Sequence, residues 1–141
     1  MNVIVFLDDG RGMMFNYRRQ SRDKALEERI REICRGHRLW LNAYSYKLYS
    51  EAGDVRVSEK FLEEAGEGDF CLVESELLKP AENRIDKLIV FWWNRKYPAD
   101  LKLDLNLEDW VLVSSNEFPG FSHDKITEEV YARKGKAYEE G

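Results

Sequence analysis

Three arginines and an acid lie close together in Arg18, Arg19, Arg22 and Asp23. Arginines just ahead of a helix could capture a phosphate or carboxylate. The helix N-terminus already attracts anions, and a guanidinium forks onto two oxygens. The plainer uses are a solvated charge cluster, or pairing with an acid such as Asp8 or Asp9. Asp23 could face a ligand as an acid, which would need partial burial and a raised pKa. It could equally satisfy the start of a helix. Its arginine neighbours would hold its pKa down, which favours an ion-pair network or anion site over a proton donor. Asp8 and Asp9 could hold Mg²⁺ against a substrate phosphate, or simply turn the chain.

Other residues offer less. Trp92 and Trp93, followed by Asn94-Arg95-Lys96-Tyr97, could stack a nucleic-acid base, although tryptophans in a central strand belong first to the core. His123 fits a satisfied strand histidine, and Ser122 has no matching base and acid for a hydrolase triad. Cys34 and Cys71 sit inside apolar patterns, where free cysteine acts as a small hydrophobe. With only His37 and His123 besides, neither a disulfide framework nor a structural zinc site is expected.

The chain must position these residues within 141 positions, enough for one domain with a core. Hydrophobic residues make up 43% and aromatics 13%, which argues against disorder. A formal charge of −5 argues against a domain-wide nucleic-acid surface. No apolar run approaches a membrane span and no signal peptide is evident, so a cytoplasmic protein is expected. We expect one domain over residues 1–133 and a polar tail over 134–141.

Val3–Leu7 reads as a strand covered on both faces, and Asp8-Asp9-Gly10 ends it. Residues 11–20 read as a loop, and Ser21 as the N-cap of a helix that carries Asp23 in its first turn and stops at Gly36. Glu27 and Arg31 are spaced to pair across one turn of it. Further strands are expected over Arg38–Asn42, Val55–Val57, Phe70–Val73, Lys87–Trp93, Trp110–Ser114 and Ile126–Arg133, with Leu101–Leu107 an extended edge. Helices are expected over Ala43–Tyr49, Ser58–Ala65 and Ser75–Lys79, the last ended by Pro80. This order implies an α/β fold: a mostly parallel sheet with crossover helices, finished by an antiparallel C-terminal hairpin. Its ligand site should lie at the carboxyl ends of the parallel strands, among Asp8–Arg19, Asn42–Tyr46, Glu74–Ser75 and Trp93–Lys96.

The collinear order of these pieces resembles dihydrofolate reductase. The resemblance rests on the first strand and its Gly12-Met13 loop, on "LNAYSYKLY", on "DFCLVESELLKPAENRIDKLIVF", and on the ending "LEDWVLVSSNEFPGFSHDKITEEVYAR". It implies that Asp23 matches the acid that binds the pterin, and that Ser45 matches the threonine touching cofactor phosphate. Two departures stand out. The adjacent glycines that let backbone approach the dinucleotide are replaced by Glu74 and Ser75, and the residue matching the basic contact to the 2′-phosphate is Ala43. A side chain and a negative charge beside a phosphate are both unfavourable. The segment between Tyr49 and Phe70 is also too short for a full strand–helix unit of the adenosine cleft. The cofactor is therefore unassigned, and NADPH is not expected to bind in the family manner.

The expected function is binding of a small anionic or heterocyclic ligand without hydride transfer, at Asp8, Asp9, Met13, Arg18, Arg19, Asp23 and Ser45. The alternatives are a divergent reductase of a pterin-like substrate with Asp23 as acid, and a protein- or nucleic-acid-binding module using Trp92, Trp93, Arg95 and Lys96.

Overall fold

The apolar run near the start forms the central strand β1 (Asn2–Leu7), and its alternating side chains serve two cores. Val3, Val5 and Leu7 enter one layer, while Ile4 and Phe6 enter the other. A strand covered on both faces has no polar side to show, which explains the unbroken apolar sequence. The computed structural model describes residues 1–134, so all but Lys134 of the expected tail lies outside the described residues.

The elements that follow are β2 (Gly12–Phe15), β3 (Arg18–Arg19), α1 (Lys24–Cys34), β4 (Arg38–Leu41), α2 (Ala43–Tyr49), β5 (Asp54–Val57), α3 (Phe61–Glu64) and β6 (Phe70–Val73). After a 3-10 helix at Lys79–Arg84 come β7 (Lys87–Trp92) and β8 (Leu101–Lys102). A short 3-10 turn at Leu107–Asp109 precedes β9 (Trp110–Phe118) and β10 (Ile126–Arg133). The main sheet runs in the order β5-β4-β6-β1-β7-β10-β9. Its pairings from β5 through β7 are parallel, and β10 lies antiparallel between β7 and β9. This is the mostly parallel sheet with an antiparallel end that the order of elements implies.

Helices α1 and α2 cover one face through Leu26, Ile30, Cys34 and Tyr49. Phe61 and Ala65, with Leu78 and Ile85 beside the first 3-10 helix, cover the other. The connection leaving β1 therefore crosses the first face toward β4, and the one leaving β6 crosses the second toward β7. Because β1 and β6 are neighbours, a crevice opens at their carboxyl ends, where the winding changes direction.

Several elements differ from the expectation. Residues 11–20 are not a plain loop: β2 pairs with β3 and with β8 in a separate three-stranded sheet. Asp23, not Ser21, caps α1, its carboxylate accepting from Ala25 N at 2.9 Å. Glu27 pairs with Arg22 rather than Arg31. Pro80 opens the 3-10 helix instead of ending one over Ser75–Lys79, because a missing N–H does no harm in a first turn. The amides of Leu78 and Lys79 are taken by Asp104. Ser58 accepts from Lys60 N and donates to Glu64, forming a turn that delays α3 to Phe61. The extended edge shrinks to Leu101–Lys102, while β9 reaches Phe118. Gly36, at φ +81°, takes the left-handed conformation beyond the end of α1. Among the described residues, no helix is long and apolar enough to cross a membrane.

Candidate functional site

Glu74 leaves the carboxyl end of β6 and enters the crevice, with its side chain only 3% exposed. Arg19 reaches it from β3 and grips both oxygens, Nε to Oε2 at 2.8 Å and Nη2 to Oε1 at 2.9 Å. Ser45 Oγ donates to Oε1 at 2.8 Å. The Arg19 guanidinium lies 4.6 Å from the centre of the Tyr44 ring, while Arg19 N donates to the Tyr44 hydroxyl at 2.9 Å. Ser45 is fixed by α2, where the Asn42 cap accepts from Ser45 N, and Asn42 Nδ2 in turn donates to Ser75 Oγ. Burial works against the Arg19 charge, but Glu74 outweighs it and leaves the guanidinium above its ordinary pKa. Removing one partner of such a buried pair costs about 3–5 kcal/mol, because the other charge stays behind uncompensated.

Beside this network, and sharing Asn42, Tyr44 and Ser75 with it, is a cleft of about 640 Å³. Its remaining walls are Met14 and Leu101, the exposed ring of Tyr17, and the acids Glu59, Glu76 and Asp100. No lysine or arginine lines it. The cleft thus combines aromatic and apolar surface with a negative potential.

Asp23 belongs to a different assembly. Besides capping α1, it accepts from Phe121 N at 2.9 Å, from Ser122 N at 2.8 Å and from His123 Nδ1 at 2.9 Å. Burial pushes the carboxyl up, but these donors outweigh it and hold the group well below the usual carboxylate range. The arginines expected to depress it play no direct part. With Nδ1 protonated toward Asp23, His123 Nε2 accepts from the hydroxyls of Ser21 and Tyr97, each at 3.1 Å. The ring stacks on Trp93 at 4.8 Å between centroids. Asp23, His123 and Ser21 share the connectivity of a hydrolase relay, yet Tyr97 competes with Ser21 for the one lone pair of Nε2.

Asp8 is also buried, and N–H donors engage both its oxygens. Gly10 N and Gly12 N donate to Oδ1, and Tyr97 N and Gln20 Nε2 to Oδ2. Burial raises its pKa, but these bonds lower it further than burial lifts it. Asp8 thus closes a turn, while Asp9 is exposed beside it. Among the described residues, no group of three or more His, Cys, Asp or Glu is arranged to hold a metal.

The arrangement of elements matches a solved structure. Dihydrofolate reductase from Enterococcus faecalis, complexed with NADP(H) and RAB-propyl, aligns over 94% of this chain and 95% of that chain with a TM-score of 0.68. The fold is that of dihydrofolate reductase. The two sequences are only 12% identical, so the likeness is one of architecture. No family model matches the sequence. No curated protein matches it either.

Within this dihydrofolate-reductase-like fold, the expected site residues separate into groups. Arg19 and Ser45 meet, but on Glu74. Asp23 and Asp8 sit in two other hydrogen-bond clusters, linked through Tyr97, whose N–H serves Asp8 and whose hydroxyl serves His123. Met13 is buried in the core, Arg18 is exposed, and Arg22 forms a surface pair with Glu27. Arg18 and Arg19 line one small pocket with Gln20 and Tyr97, while Arg22 is paired with Glu27. Trp93 is buried under His123, and Trp92 is half-buried against the core with its Nε1 donating to Glu129. The sequence reading held Tyr44 and Glu74 only within the candidate segments Asn42–Tyr46 and Glu74–Ser75, and missed the pairing of Glu74 with Arg19. The available signal was an acid directly after a four-residue apolar strand, at the carboxyl end where such sheets place ligands.

Proposed function

We propose that this protein binds a small heterocyclic molecule, neutral or positively charged, in the cleft beside Glu74, and that it performs no NADPH-dependent hydride transfer. The observation that carries the reading is the cleft lining, two tyrosines and three carboxylates without a basic side chain. Such walls offer stacking surface and repel anions. An anionic ligand, the other half of the sequence expectation, has no partner there: Arg19 is held by Glu74, and Arg18 does not line the cleft.

The Enterococcus faecalis reductase is described with NADP(H) bound. In the present chain, the positions that resemble the family's paired glycines carry Glu74 and Ser75. A buried carboxylate, already bonded to Arg19 and Ser45, replaces the bare backbone that a dinucleotide would approach. The reductase alternative with Asp23 as acid gains no support, because a carboxyl held ionised by four donors is a poor proton source.

Thermal shift and calorimetry against a panel test the reading. Aminated heterocycles should stabilise the fold saturably, by ~2.7 kcal/mol at about 100 times Kd. NADPH, inorganic phosphate and folate carboxylates should give no shift. Saturable NADPH binding would overturn the proposal.

A further inference from the structure

Resting on that reading, we propose that Glu74 is a receptor for a planar guanidinium or amidinium ligand, and that Arg19 is the internal occupant such a ligand displaces. The site has the parts that recognise this chemistry. A carboxylate 3% exposed presents both oxygens to two parallel N–H groups at 2.8 and 2.9 Å. Tyr44 offers a ring face 4.6 Å away, and the Ser45 hydroxyl takes a further lone pair of Oε1. Forked geometry and an aromatic platform suit a flat, delocalised cation far better than an ammonium.

The occupant is delivered on a short arm. Arg19 lies in the two-residue strand β3, whose ladder consists of Met14 opposite Arg19 and Phe15 opposite Arg18. The arm turns through Asn16 and Tyr17 at φ 52° and 61°, left-handed conformations that a tyrosine rarely adopts. Its tip is solvated, with Tyr17 91% exposed. Its release breaks the bonds of Arg19 N to the Tyr44 hydroxyl and Asn16 N to Asp100, together with the fork to Glu74, which the incoming cation replaces. The cleft next to Tyr44, lined by Glu76 and Asp100, lies beside this arm. A neutral ligand could not take the place of Arg19, since Glu74 would remain as a buried, unpaired charge. The same condition excludes anions.

The test uses the full chain with benzamidine and methylguanidine as probes, and methylammonium as control. Hydrogen exchange of the Met14–Arg19 amides is followed in the unaltered protein. Both probes should speed exchange in this segment, with methylammonium inert. Arg19→Ala should bind benzamidine saturably, about 100-fold more tightly than the unaltered protein, because a tethered competitor acts at millimolar or higher effective concentration. The proposal is overturned if Arg19→Ala folds and binds neither probe. It is also overturned if the unaltered protein binds them without any change in Met14–Arg19 exchange; that second result would leave the cleft reading standing. Should Arg19→Ala fail to fold, the exchange measurement on the unaltered protein decides alone. Absence of all heterocycle and amidine binding would end both readings together.

Discussion

Replacing Asp23 by alanine should unfasten the loop at 120–123 from the start of α1. The side chain caps α1 at Ala25 N and holds Phe121 N, Ser122 N and His123 Nδ1. Loss of the cap alone costs about 1 kcal/mol. Each of the other donors left without a partner costs about 1 kcal/mol or more, at the lower end where the loop can relax toward water. The expected loss is therefore about 4 kcal/mol, equal to a fall of roughly 2 M in the urea midpoint for a slope of about 2 kcal/mol/M. Asp23→Asn keeps the size and one acceptor but turns an amide N–H₂ toward donors, so it should fall between the two. Urea unfolding followed by far-ultraviolet circular dichroism gives the totals. Tryptophan fluorescence reports the stack of Trp93 on His123. A loss below about 1 kcal/mol for Asp23→Ala, the value of a cap alone, would refute the reasoning. The loop would then be held by something other than this carboxylate.

Gly12→Ala should destabilise the fold by about 1–3 kcal/mol in the same urea assay, as overpacking does. A Cβ there would meet the Ala99 methyl at 2.5 Å and Gln20 Nε2 at 2.7 Å. Asp8 and Asp23 both titrate below their ordinary range, so their contribution is complete above an unfolded pKa of about 3.9 and fades as pH falls below it. The melting temperature should be level near neutrality and drop below about pH 4; a rise there would contradict the assignment. Burial pushes the Cys34 and Cys71 thiols up to about 12, so a thiol reagent should react with neither until urea is added.

Elements whose apolar spacing is unbroken were legible, whether buried throughout or half-exposed. Phe70–Val73, Ala43–Tyr49 and Ile126–Arg133 have the bounds read from the sequence. The hairpin β2–β3 was not legible. Arg18 and Arg19 carry no apolar alternation, and its turn uses Asn16 and Tyr17 where glycine would have announced a positive φ. That strand also sets how the two arginines of β3 differ. Side chains of successive strand residues point to opposite faces, so Arg19 turns inward to Glu74 while Arg18 stays in solvent. Ser45 was identified from its likeness to a phosphate contact. Its actual partner lies far along the chain, and no local spacing links the two.

The sheet order also governs how this chain must fold as it is made. β1 is made before its partners, β6 and β7, and is among the most apolar segments. At ordinary synthesis rates of about 5–20 residues per second, several seconds pass before either exists. During that interval the strand has no ladder to join and must be shielded by chaperones or by transient collapse. Assembly then waits on long-range closure, the slow step of parallel sheets. Truncations that stop before Lys87 should leave β1 paired with β6 alone, its other side an open edge where β7 would have joined.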